Sequence, residues 1–238
     1  MSRPEPEKIK GGICGCLVDC SPEEFPAWLH FPGIDLLEWR IDRFSGKHSD
    51  DLGLYLDALS EEDRHPVLAT NRPLREMGSF YGPEEARLQI LERAAVSGAE
   101  WIDIEHDTAE GNVSVFRKLG AKVLVSWHNP VETPQTGILH ARLENMCKTG
   151  ADAIKIVTLA HSAEDNLRIL ELIPRARNHF GVDLIAFCMG AAGKWSRLVC
   201  TLFGSPWTYA QLPGQPEGAP GQFSVSDLRN MLETLTEI

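Results

Sequence analysis

Residues 150–160 read GADAIKIVTLA, and residues 162–173 read SAEDNLRILELI. The first run is short, apolar and rich in β-branched residues, which predicts a buried strand. The second has apolar residues at helical spacing behind Ser162 and Asp165, the signature of a capping box. A buried strand followed by an amphipathic helix implies parallel pairing with the next strand through a right-handed crossover. Lys155 is the exception within the strand. It stands between Ile154 and Ile156, where an ammonium group must be paired, neutralised or turned to water along its stem.

The same unit recurs outward from this stretch. Short apolar runs begin near positions 12, 34, 66, 101, 122, 153, 184 and 208: GICGCLV, IDLLEWRI, PVLATN, WIDIEH, KVLVSWH, AIKIVTL, LIAFCM and TYAQL. Helical segments lie between them. SPEEFPAWL has Ser21 as its expected N-cap with Pro22 and Glu24 following; GPEEARLQILERAAVSG runs from Pro83 to near Gly98; SVSDLRNMLETLTEI closes the chain. Eight strand–helix units are the count of a single-domain (β/α)8 TIM barrel spanning 1–238. An open doubly wound sheet is the main rival, but it wants a glycine-rich turn after the first strand, and VDCSPEEF has none.

With 238 residues, 43% of them hydrophobic, the chain can bury one substantial core. Its formal charge of -11 argues against an extended nucleic-acid or anionic-membrane surface, though not against a local cationic pocket. No apolar run approaches the roughly 20 residues needed to cross a bilayer, and MSRPEPEKIKGG lacks the apolar core of a signal peptide, so a cytoplasmic location is expected. The six cysteines are too sparse for a disulfide scaffold and read as reduced, mostly buried thiols.

In a barrel, polar residues near the C-terminal ends of strands are the catalytic candidates. Glu38 and Arg40 share a face of the second strand, Arg72 ends the third with Glu76 four residues on, His128 ends the fifth, and Lys155 lies in the sixth. Arg197 follows the seventh strand. Gln222 belongs to QLPGQPEGAPGQF, 211–223, whose Pro and Gly content marks a loop over the active face. Each has a plainer reading: a structural histidine, a barrel ion pair for Glu38 and Arg40, a helix-surface charge for Arg197. Gln222 carries no signal of its own.

Lys155 has the strongest independent case, because desolvation favours the neutral amine and would carry its pKa down from about 10.4 toward neutrality. A neutral amine attacks ketones and aldehydes, forming a Schiff base that acidifies the adjacent carbon. His128, from the neighbouring strand, could take that proton, with Glu76 or Glu38 holding the imidazole and arginines binding a carboxylate. Metal chemistry competes through DIEHD, but Asp103 and Glu105 share a face while His106 falls on the other, so no metal site is expected. GAAGKWSR fails as a phosphate loop, being one residue short with Trp195 in the hydroxyl position.

These residues together carry a resemblance. LLEWRID, NRPLREMG, SWHN, GADAIKI, SRLVCTLFGSPWTYA and GAPGQFSVSDLR, in this order, resemble the motifs of the type I 3-dehydroquinate dehydratases over nearly the whole chain. The resemblance implies a (β/α)8 hydro-lyase of the shikimate pathway and aromatic amino acid biosynthesis that converts 3-dehydroquinate to 3-dehydroshikimate. It implies an imine on Lys155, proton abstraction by His128, and Glu76 orienting that histidine. It also implies substrate contacts from Glu38, Arg40, Arg72, Arg197 and Gln222, no metal or organic cofactor, and a homodimer.

The chain departs from that pattern at three places: Met77-Gly78 stands for a Gly-Gly pair, Asn129 for an Asp after the histidine, and Gly218 for a serine in a last loop about two residues longer. A class I aldolase would also use a barrel lysine, often on a phosphorylated substrate. A non-enzymatic barrel that senses a cyclic hydroxy acid would be expected to lack the lysine or the histidine.

Overall fold

The computed structural model describes residues 11–44 and 52–236. The reading of the first ten residues as lacking a signal peptide, and the last two residues of the closing helix, lie outside the described residues.

All eight predicted strands form. They are β1 (Gly12–Leu17), β2 (Leu36–Arg40), β3 (Val67–Thr70), β4 (Trp101–Glu105), β5 (Lys122–Asn129), β6 (Ala153–Leu159), β7 (Asp183–Met189) and β8 (Trp207–Gln211). Every ladder between them is parallel, and the order runs from β7 down to β1 and then to β8. Sequential neighbours with the first strand against the last make the wall of a (β/α)8 barrel.

One seam departs from the expected closed wall, because β7 and β8 share no ladder. Ser205 bridges it instead: its hydroxyl donates to the Leu184 carbonyl at 2.9 Å and accepts the Ala186 N–H at 3.4 Å. A two-residue strand, β9 (Phe223–Ser224), covers part of the free edge of β8 through Ala210↔Phe223 and Gln211↔Ser224.

Helix starts follow local chemistry. Ser162 and Asp165 form the reciprocal capping box ahead of the helix Ala163–Leu170. The Ser21 start comes out differently: Glu24 does accept the Ser21 N–H at 3.0 Å, but residues 22–24 form a turn and the helix is confined to Phe25–Leu29. Pro26 is the reason, since proline is tolerated only in a first turn and so marks where this helix begins.

The interior of the barrel is polar at one level. Glu38, Arg72, Asp103, Glu105, Ser126 and Lys155 are all buried there. Strand alternation explains this: Ile154 and Ile156 pack outward into the apolar core, and Lys155 and Val157 face the cavity between them. All six cysteines are free thiols, and five are buried.

Candidate active site

A cavity of about 130 Å³ opens at the C-terminal ends of the strands. It gathers the eight candidates for imine, proton-transfer and substrate contacts: Lys155, His128, Glu76, Glu38, Arg40, Arg72, Arg197 and Gln222 all line it. Arg43, Cys16, Phe187 and Tyr209 join them. Five cationic side chains (Arg40, Arg43, Arg72, Lys155, Arg197) face two carboxylates (Glu38, Glu76), so the cavity suits an anion although the chain as a whole is acidic.

Lys155 is 6% exposed, and its burial is met by charge. The Nζ atom lies 3.7 Å from Asp103 Oδ2 and 3.8 Å from Glu38 Oε1, and 4.1 Å from the centre of the Tyr209 ring. Neither carboxylate is close enough to hold it by a hydrogen bond. Lys155 is therefore buried beside two carboxylates and an aromatic face, and is not turned to water along its stem. Glu38 Oε1 is itself held by the Thr70 hydroxyl at 3.0 Å.

The ladder sets Ser126 opposite Lys155 and His128 opposite Val157, which puts the imidazole one inward position nearer the cavity mouth than the lysine. His128 Nδ1 lies 2.8 Å from Glu76 Oε2. Burial and then the cations Arg72, Lys155, Arg40 and Arg197 hold the imidazole pKa well below its usual range. Burial raises Glu76 to about 8, against the lowering effect of Arg72. With Glu76 ionised and accepting the Nδ1–H, Nε2 is left as the nitrogen that can take a proton from a molecule in the cavity.

The arginines divide by partner. Arg72 donates to Glu105 Oε1 at 2.6 Å, Asp103 Oδ2 at 2.5 Å and Ser126 Oγ at 2.6 Å, and it stands 3.9 Å from Glu76. Arg40 forms a two-pronged contact with Asp42, Nε to Oδ1 at 2.9 Å and Nη2 to Oδ2 at 2.8 Å. Arg197 has no ion pair among the described residues: it donates to the Pro220 carbonyl at 3.1 Å, its Nε lacks a partner, and burial lowers its pKa to about 10. It is the arginine most open to an incoming carboxylate.

Because Asp103 and Glu105 are fully buried, removing Arg72 leaves their charges without this partner. Arg72→Met is expected to cost about 3–5 kcal/mol in a urea unfolding experiment. A loss below about 1 kcal/mol would show that the network is not held together by this arginine.

The last loop covers the cavity. Gln211 and Phe223, read as its ends, belong to β8 and β9, so the loop proper is 212–222. Gly218 O accepts from Arg40 Nη1 at 3.4 Å, and the Gln222 side chain accepts the Gly218 N–H at 2.9 Å and donates to Cys16 Sγ at 3.1 Å. A Cβ on Gly218 would approach Cys16 Cβ to 3.3 Å, so this loop packs closely at the position of the expected serine. Gln215 ties the loop back to β1, accepting from Val18 and Asp19 N–H at 3.1 and 2.9 Å.

The other two departures also have local accounts. Met77 adopts φ +63°, a left-handed conformation that favours glycine, and Gly78 sits so close to Arg72 that a Cβ would meet its carbonyl oxygen at 1.8 Å. Asn129 accepts the Val131 and Glu132 N–H groups at 3.0 and 3.2 Å, shaping the turn after β5.

The sequence reading missed the partners of the arginines. Asp42 stands two residues after Arg40, and Asp103 and Glu105 share a face of DIEHD that reads in the sequence as a metal-ligand pattern. The alternating DIE of β4 was the available signal, since two inward carboxylates on a buried strand require an inward cation.

A (β/α)8 barrel with a buried lysine, a histidine–carboxylate pair and an unpaired arginine around one covered cavity is the architecture of a barrel enzyme. Comparison with known proteins narrows the class. The family described as type I 3-dehydroquinase matches residues 27–238. A 3-dehydroquinate dehydratase of Syntrophobacter fumaroxidans is 50% identical over 222 residues, covering 93% of this chain and 95% of its own length. One from Dehalococcoides mccartyi is 39% identical, with 74% of this chain and 81% of that protein covered. The crystal structure of 3-dehydroquinate dehydratase from Geobacillus kaustophilus superposes with a TM-score of 0.82 at 30% identity, covering 95% of this chain and 91% of that one. The chain belongs to the type I 3-dehydroquinase family.

Proposed function

We propose that this chain dehydrates 3-dehydroquinate to 3-dehydroshikimate through an imine on Lys155. The observation that carries the reading is that Lys155 and His128 face one cationic cavity from adjacent strands, with Glu76, from the turn after β3, lying 2.8 Å from the imidazole.

The Lys155 amine adds to the C3 ketone and water leaves, giving a protonated imine. That cation withdraws electrons from C2, and His128 Nε2 takes the C2 proton to give an enamine. The enamine electrons then expel the C1 hydroxyl, which leaves as water with the proton returned by His128. Removal and return on one face make the elimination syn. Water finally hydrolyses the conjugated imine and frees Lys155.

Glu76 holds the Nδ1–H and so keeps Nε2 unprotonated. Arg197 binds the substrate carboxylate, while Glu38 and Arg40 meet ring hydroxyls. Gln222 reaches the substrate through the loop it organises. Arg72 acts mainly by fixing Asp103, Glu105 and Glu76. The lysine is the electron sink, so the reading calls for no metal or organic cofactor. No helix among the described residues is long and apolar enough to cross a membrane. A cytoplasmic homodimer in the shikimate pathway completes the proposal, and sedimentation velocity tests the dimer.

The carboxyl of Glu76, at about 8, supplies a pH test. The form with a free Nε2 lone pair is the one that has lost the proton shared by Glu76 and His128, so kcat/KM should rise with pH and level off above about 8. In Glu76→Gln that acid limb should disappear, leaving a lower and flatter profile. Persistence of the same limb in the variant would remove Glu76 from the role.

A further inference from the structure

The four most buried cations of the cavity are held in two different ways. Arg40 and Arg72 are held by short hydrogen bonds to Asp42, Asp103 and Glu105. Lys155 and Arg197 have no carboxylate at hydrogen-bond distance among the described residues and lie over ring faces: Lys155 Nζ is 4.1 Å from the Tyr209 ring centre, and Arg197 Cζ is 4.4 Å from that of Phe187. The two rings meet at 5.9 Å with an interplanar angle of 63°, across the seam between β7 and β8. Those two cations are also the ones that the proposed reaction brings to the substrate's ketone and carboxylate.

The difference has a chemical consequence. A carboxylate at hydrogen-bond distance occupies the nitrogen's protons, whereas a ring face favours positive charge and leaves those protons free. Only the protonated imine is an electron sink. A neutral imine on Lys155 would acidify C2 far less.

We propose that Tyr209 is a positioning residue whose ring face keeps the Lys155 imine protonated during the reaction. The inference rests on the imine chemistry proposed above. The ring, and not the hydroxyl, is the working part, because it is the ring face that lies against Lys155 Nζ. Burial, with Glu38 nearby, holds that hydroxyl well above its usual range, so it carries no charge of its own.

The other titratable groups facing Lys155 are Cys14 and Cys16 from β1, Glu38 from β2, Asp103 from β4 and His128 from β5. All are retained when residue 209 alone is changed, so a difference between variants reports the ring.

The test is borohydride trapping of the 3-dehydroquinate adduct on the whole chain, followed by mass spectrometry as a function of pH. Tyr209→Phe is the baseline, and mono-, di- and trifluorinated phenylalanines at 209 withdraw charge from the ring with little change of shape. The alkaline half-point of trapping should stay with wild type in Tyr209→Phe. It should then fall stepwise along the fluorinated series, by about one pH unit in total, a tenfold change in the acidity of the imine.

Tyr209→Leu should show the same downward shift and serves if the fluorinated proteins fold poorly. A purely structural ring would lower the yield at every pH and leave the half-point where it was. Intact trapping with an unmoved half-point overturns the role of the ring and leaves the lysine chemistry standing. Absence of any adduct in the wild-type protein overturns the imine reading and this inference with it.

Discussion

Lys155→Ala is expected to abolish turnover of 3-dehydroquinate, with kcat falling at least about a thousandfold, because no other group among the described residues of the cavity can form an imine. The geometry makes the expectation specific. Among the described residues Lys155 is the only lysine lining the cavity, and it faces the ring of Tyr209 between two carboxylates that stand too far off to bind its protons directly. The neighbouring arginines are held by carboxylates or, for Arg197, poised for an anion, and none is a nucleophile. Substrate binding should outlast the loss of catalysis, since Arg197 and Arg40 remain. Isothermal titration with the substrate and a kinetic assay on the same preparation check both halves. Retention of more than a tenth of wild-type turnover would show that the chemistry does not run through the lysine.

His128→Ala should separate the two stages of the reaction. The imine can form without the histidine, so borohydride should still trap the adduct, while dehydration slows by at least about 100-fold, the lower end for general acid–base catalysis. The adduct should then accumulate before dehydration, and trapping should recover the mass of the unreacted substrate on Lys155. In the wild-type protein the dehydrated form is expected to contribute more. An unchanged rate in the variant would assign the proton to another group, of which Glu76, 2.8 Å behind the imidazole, is the nearest candidate. Loss of adduct formation along with turnover would instead point to a role for His128 in building the imine.

The wall of the barrel was legible because each strand is a short apolar run bounded by helix-start chemistry, as at Ser162 with Asp165. The seam between β7 and β8 was not, since whether two neighbouring runs form a ladder depends on how the barrel closes. Proline decided one local boundary against the capping pattern, at Pro26. In the site, strand parity was enough to place Glu38 with Arg40 and Lys155 beside the His128 strand. What parity could not supply was the identity of partners across the interior. Asp103 reaches both Arg72 on β3's end and Lys155 on β6, a relation that exists only once the strands are wrapped around a common axis. For the same reason the rings of Tyr209 and Phe187 read as ordinary core residues in TYAQL and LIAFCM. Their faces became meaningful when the cations above them were in place.

Gly218 shows how a departure from a family pattern acquires a physical reading. Its backbone carbonyl receives Arg40 and its N–H is taken by Gln222, while the space that a side chain would fill is bounded by Cys16. The last loop is therefore held by main-chain contacts and by Gln215. Asn129 illustrates the opposite case, in which the side chain shapes the turn after β5.

Mass spectrometry of the wild-type protein after incubation with 3-dehydroquinate and borohydride tests the central claim most directly. One substrate-derived mass per chain, mapped to the peptide carrying Lys155, is the predicted result. An unmodified protein that nevertheless turns over substrate, or a label on any other residue, would contradict it.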